Sequence, residues 1–222
     1  MTSFRSTFAA LALSVVPLGC CALNGGACGA GDDAWKVLFD GKTLAGWTEH
    51  GGRYDGDADW SVEDGAITGR EAAGHKGGLL YTVDAYQDFE FECDVKIEWP
   101  FDSGIFLRMV PEPGGKGAQV TIDYRPTGEI AALYADGFLL HNEGVIERFK
   151  KDAWNHFRVR CVGADMHIET WLNGELVVDY RLAPGTTGYA PTGLIGIQVH
   201  GDSDSPPGTK VQFKNLRVKP IG

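Results

Sequence analysis

Apolar and polar residues alternate along most of this chain. From Asp88 to Ile97, positions 89, 91, 93, 95 and 97 are Phe, Phe, Cys, Val and Ile, while positions 88, 90, 92, 94 and 96 are Asp, Glu, Glu, Asp and Lys. A period of two puts these sets on opposite faces of a strand, so the segment predicts one buried and one wet face. The same pattern recurs in Phe157–Val162, Met166–Leu172 and Val211–Val218. Helical periodicity is nearly absent. Asn173-Gly174, set between Trp171-Leu172 and Glu175–Tyr180, tolerates positive φ and predicts a tight type I′ hairpin. Strands with one apolar face bury it only against a second sheet, which predicts an all-β, two-sheet antiparallel sandwich.

Composition narrows the setting. The chain has 222 residues, 43% of them hydrophobic and 23% charged, which suits one sandwich domain and leaves no room for a second. A formal net charge of -10 repels a polyanion overall, so no nucleic-acid partner is expected. Arg5 precedes the apolar stretch Phe8–Leu18, too short for a membrane span but suited to a secretory signal. Leu18-Gly19-Cys20-Cys21 resembles a bacterial lipobox, in which a cysteine is lipidated and becomes the new N-terminus. With Cys20 as that residue, Pro17 stands where the motif prefers Leu; Cys21 restores Leu18. Ordinary cleavage within Ala22–Gly31 would instead release a free protein. The expected organisation is a signal peptide over 1–21, of lipoprotein type if the lipobox holds, a Gly-rich tether over 22–34 and a β-sandwich over 35–222. The protein is expected to be exported, in the periplasm or cell envelope, with a membrane tether through Cys20 or Cys21 in the lipidated case.

Within the folded body the cysteines are Cys93 and Cys161, both in phase with apolar neighbours. They allow one disulfide or two buried thiols, and no C-x-x-C spacing offers a zinc site.

Chemistry must sit on the polar faces, because the others are core. In Ser103–Arg108, Ile105 and Leu107 turn inward and Arg108 shares the opposite face with Phe106. In Gln119–Tyr124, Val120 and Ile122 turn inward and leave Gln119, Thr121 and Asp123 outward. In Leu194–Asp202, Ile195, Ile197 and Val199 turn inward and leave Gln198 and His200 outward. Sharing one sheet, these rows would make a surface able to bind hydroxyls and move protons. Most of the tryptophans are expected in the core rather than as sugar platforms. Asp55-Gly56-Asp57-Ala58-Asp59 begins like a calcium loop but lacks the Gly at its sixth and the Glu at its twelfth position, which rejects an EF-hand. A structural calcium there, or at Asp202 and Asp204, stays open.

Several segments, in order, resemble the 3-keto-disaccharide hydrolase domain family. They are Trp35–Trp47, Trp60–Gly65, Gly77–Thr82, Asp88–Phe91, Ser103–Arg108, Trp154-Asn155, Trp171–Gly174, Gly196–Gly201 and Phe213–Leu216. The resemblance covers the whole body and implies a jelly roll of the concanavalin A-like lectin and glucanase type. It also implies a carbohydrate partner and cleavage of glycosides whose sugar carries a ketone at carbon 3. That ketone acidifies the hydrogen on carbon 2, so a base can remove it, the aglycone can leave carbon 1, and water can add back. The route needs a base, an enolate stabiliser and an acid, not the paired carboxylates of ordinary glycosidases. His200 is the expected base. Arg108 or a divalent metal would stabilise the enolate, Asp123, with Gln119 and Gln198, would orient hydroxyls or ligate that metal, and Asp202 would bind substrate. Family members commonly read Glu-Val-Gln-Ile-Leu-Asp where this chain has Gln119–Tyr124, and Gln-Asp-His where it has Gln198-Val199-His200. The amide at Gln119 favours, as the alternative, a carbohydrate-binding module on the same fold without turnover.

Overall fold

The computed structural model describes Met1 and residues 34–52, 54–112, 114–201 and 204–222. The leader with Cys20 and Cys21, the tether as far as residue 33, and Asp202 lie outside the described residues. The strands run in chain order: β1 (Lys36–Val37), β2 (Trp47–Thr48), β3 (Asp59–Glu63), β4 (Ala66–Arg70), β5 (Gly78–Tyr86), β6 (Phe89–Ile97), β7 (Phe101–Met109), β8 (Ala118–Tyr124), β9 (Ile130–Tyr134), β10 (Phe138–Leu140), β11 (Asn155–Val162), β12 (His167–Leu172), β13 (Glu175–Tyr180), β14 (Gly193–Val199) and β15 (Lys210–Pro220). A 3-10 turn at Val145–Arg148 is the one helical element among the described residues.

The strands form two antiparallel sheets. One has the order β13-β12-β11-β6-β15-β4-β3, with β1 added on β15; the other has the order β10-β9-β8-β7-β14-β5-β2. Chain-distant strands become neighbours, as β6 does with β15 and β7 with β14, which gives the jelly-roll sandwich. The inward faces meet in one core that includes Phe91, Phe157, Phe213, Ile105, Val120 and Ile195.

β6 keeps the predicted alternation, with Phe89, Phe91, Cys93, Val95 and Ile97 all in the core. Its charged face is less wet than alternation implies. Arg217 and Arg158 lie over Glu92 and leave it 7% exposed. The predicted hairpin forms: Asn173 and Gly174 have φ of 52° and 89°, and Leu172 pairs with Glu175. Both thiols are buried and free. In the β6–β11 ladder Cys93 lies opposite Phe157 and Cys161 opposite Phe89, which spaces them along the sheet by about 13 Å, beyond the ~7 Å a disulfide spans.

β7 departs from alternation once. Phe106 pairs with Gly196 and Met109 with Leu194, so Leu107 and Arg108 together oppose Ile195. Arg108 takes a left-handed φ of 50°. This β-bulge reverses the phase of the strand from that point on.

Candidate functional site

The polar rows do share one sheet. On β8, Val120 and Ile122 enter the core and Gln119, Thr121 and Asp123 face out; on β14, Ile195, Ile197 and Val199 enter the core and Gln198 faces out, followed by His200 just past the strand. β7 runs between them and adds Asp102, in register with Asp123.

Gln119 reaches across β7 to Gln198, its Nε2 donating to Gln198 Oε1 at 2.9 Å. The crossing needs a bare backbone on β7. Gly104 supplies it, since a Cβ there would lie 2.3 Å from Gln119 Nε2. Gln198 spends its carbonyl in this bond and keeps its own amide hydrogens for a ligand.

At the end of the same rows four charged groups gather. Arg125, just past β8, donates from Nε to Asp123 Oδ1 at 2.6 Å and from Nη2 to Asp123 Oδ2 at 2.7 Å and Asp102 Oδ2 at 2.9 Å. His200 donates its backbone N–H to the Asp102 carbonyl at 3.2 Å, and its Nε2 lies 3.8 Å from Asp102 Oδ2. Burial, reinforced by the charge of Asp123, pushes the Asp102 carboxyl up to about 6 against the opposing pull of His200 and Arg125. His200 Nδ1 is buried without a partner among the described residues.

A cleft of about 610 Å³ opens beside His200, lined among others by Tyr54, Asp57, Lys76, Leu79 and Gln198. Its wall is held by backbone packed on backbone. A Cβ on Gly77 would lie 2.2 Å from Gly201 N and 2.4 Å from Val199 O, and one on Gly56 would lie 2.0 Å from Gly77 O. A side chain at Gly77 would therefore lift the Lys76 loop off the backbone of Val199–Gly201, and one at Gly56 would push its own segment off Gly77 and Gly78. A second cavity, of about 520 Å³, lies over the outer face of the other sheet. There His156 and Asn215 both bond to Asp94, and Arg217 bonds to Glu92, so its charged groups satisfy one another.

Arg108 does not join the cluster, which corrects its expected place on the open face. The bulge turns it inward, where it is 1% exposed. Its Nε donates to Gln87 O at 2.6 Å, Nη1 to Gly163 O at 2.8 Å and Nη2 to Asp88 Oδ1 at 2.7 Å. Buried, and with three of its five donors held by two carbonyls and a carboxylate, Arg108 is a tie between loops rather than a group that meets substrate. Asp102 and Arg125 are the members that the sequence reading does not single out. Extending the parity of Phe106 and Gly104 back along β7 reaches Asp102; Arg125, past a strand end, carries no periodic signal.

The described residues do not fit a divalent metal. Among the described residues no three His, Cys, Asp or Glu gather as a ligand set. Between Asp102 and Asp123 the Arg125 guanidinium takes the place of a cation. In the acidic run, Asp55 accepts the N–H groups of Gly51 and Gly52, and Asp57 pairs with Lys76.

A profile of the family described as "3-keto-alpha-glucoside-1,2-lyase-like domain" matches residues 34–219. A curated 3-keto-disaccharide hydrolase from Bacteroides thetaiotaomicron is 35% identical over 79 residues, an alignment covering 33% of this chain and 27% of that protein. The match thus spans about a quarter of that relative's length. Among solved structures, a provisionally named glycosyl hydrolase from Parabacteroides distasonis ATCC 8503 superposes with a TM-score of 0.59 at 24% identity, covering 85% of this chain and 94% of that one. The carbohydrate-binding module CBM66 from Bacillus subtilis superposes with a TM-score of 0.52 at 15% identity, covering 78% and 95%. A galectin-like protein of unknown function from Bacillus subtilis gives 0.57 at 13% identity, covering 78% and 88%. At these identities the superpositions speak for the sandwich fold.

Proposed function

The chain belongs to the 3-keto-alpha-glucoside-1,2-lyase-like domain family, and from that premise we propose that it cleaves 3-keto-glycosides by elimination across carbons 1 and 2, followed by hydration. The observation that carries this reading is the Asp102–His200 pair on the open face, beside a cleft of sugar size. His200 takes the proton from carbon 2, and the electron pair passes into the C2=C3–O⁻ enolate. The enolate collapses to restore the ketone, forms the C1=C2 double bond and expels the aglycone oxygen, which recovers the proton from His200. Ionised Asp102 favours the imidazolium formed in between. The free amide hydrogens of Gln198, fixed by Gln119, meet the enolate oxygen. Water then adds across C1=C2, and the net change is hydrolysis.

The test is incubation of the domain with a 3-keto-disaccharide and with its unoxidised parent. Free sugar and a transient enone from the keto form alone are expected. Binding of the keto-sugar without conversion would instead favour a non-catalytic binding module, for which the Gln119–Gln198 amide pair, in place of a carboxylate, speaks.

Export is the proposed destination, on the strength of the leader. Replacing Cys20 and Cys21 with Ala should move the protein from the membrane to the soluble fraction; unchanged fractionation would rule out the lipid tether.

A further inference from the structure

At the far side of the open face, β9 and β10 carry rings that the proposed reaction does not use. Tyr134 lies opposite Gln119 in the β8–β9 ladder and therefore on the open side, and Phe138 pairs with Tyr134. The Tyr134 and Phe138 rings meet edge to face at 5.3 Å, and the His141 imidazole stacks on Phe138 at 4.1 Å. Phe138 is 48% exposed and the His141 side chain 61%. Glu129 fixes this group, holding His141 Nδ1 at 2.7 Å and accepting the Asn142 N–H at 2.5 Å. Glu129 and Asn142 also line a cavity of about 220 Å³ with Thr127 and Ile146. A half-exposed phenyl ring packed against an exposed imidazole matches a pyranose, whose C–H face is apolar and whose rim is hydroxyl.

The place of these rings on the sheet sets what they can reach. β9 is three ladders from β14, about 14 Å, and the level of Gln119 is offset from that of Asp123 by about 13 Å along β8, so the rings lie about 20 Å from His200. That is beyond the second ring of a disaccharide. We propose that Tyr134, Phe138 and His141 form a distal platform for a neutral sugar ring of a longer glycan, several residues from the ring held at His200. The proposal rests on the reading that the open face takes carbohydrate, and it makes the substrate class an oligosaccharide or polysaccharide end rather than a disaccharide alone.

The experiment is calorimetric titration of the wild type, Phe138→Ala and Phe138→Trp with unoxidised α-1,4 and β-1,4 glucohexaose and with the matching disaccharides. Turnover of a 3-keto-disaccharide is measured alongside. One of the hexasaccharides should bind the wild type about tenfold more tightly than its disaccharide, the size of one well-stacked ring contact. Phe138→Ala should erase that advantage and Phe138→Trp keep it, with disaccharide binding, turnover and melting temperature alike in all three. A wild type that does not favour either hexasaccharide, or an Ala variant that keeps the advantage, would overturn the platform. If the keto-disaccharide is not turned over while the advantage still depends on Phe138, the reaction fails and the platform stands.

Discussion

Asp102 and Asp123 face each other across the β7–β8 ladder, and the guanidinium of Arg125 bonds to both. Folding raises the Asp102 carboxyl to about 6, so between about pH 4 and 6 the native state keeps a proton that the unfolded chain gives up. Stability contributed by this group is therefore present at low pH and lost as pH rises through that window, by on the order of 3 kcal/mol in all. Asp102→Asn removes the loss. Its urea midpoint should exceed that of the wild type by a margin that grows from pH 4 to pH 7, while its turnover falls. A margin that does not change with pH would contradict the raised carboxyl.

His200 is 44% exposed at its side chain, so His200→Asn should leave the melting temperature nearly unchanged. On the proposed route it should lower turnover by about 10²- to 10⁴-fold, the usual weight of a general base. The wild-type rate should fall as pH drops through about 6, where Asp102 takes up its proton. A rate flat from pH 8 to 5, or a variant as fast as wild type, would remove His200 from the reaction.

Arg108→Ala separates a structural role from a catalytic one. It removes the cation that pairs with Asp88 and one donor each from the Gln87 and Gly163 carbonyls, and should cost about 2–4 kcal/mol of stability. Urea unfolding measures it. A variant of wild-type stability that has lost only turnover would return Arg108 to the open face.

Gly77→Ala probes the cleft wall. The new methyl meets the backbone of Gly201 and Val199, which cannot swing aside as a flexible side chain would, so a stability loss of about 1–3 kcal/mol is expected. The KM for a 3-keto-disaccharide should rise with it. An unchanged melting temperature and KM would mean that the loop moves without effect on the site.

Most of the sandwich is legible in the sequence because alternation reports directly which face of a strand is buried. It places Phe91 and Phe157 inward and turns Gln119 and Gln198 to the polar sides of their strands, while the topology alone brings those strands into one sheet on either side of β7. It fails where the chain breaks its own period. At Leu107–Arg108 one additional residue reverses the phase, and alternation carried through that point puts Arg108 on the wrong side. Glu92 shows a second limit, since a charged residue of correct parity is buried all the same when long arginines from β11 and β15 lie over it. Arg125 shows a third: a group beyond a strand end joins two carboxylates through the turn it occupies, and no spacing announces it.

The bulge in β7 also governs the electrical character of the middle of the open face. Had the strand kept strict alternation from Asp102, a guanidinium would stand on the side of Phe106, and Met109 would be lost from the apolar cluster it forms there with Leu79, Tyr81 and Leu194. With that cation withdrawn, Met109 turns to this side instead and the cluster is buried, each member 6% exposed or less, with Tyr54 packed against it. The bulge thereby exchanges a cation on this side of the sheet for a sealed apolar patch, and leaves the charged groups gathered at the Asp102–Asp123 end.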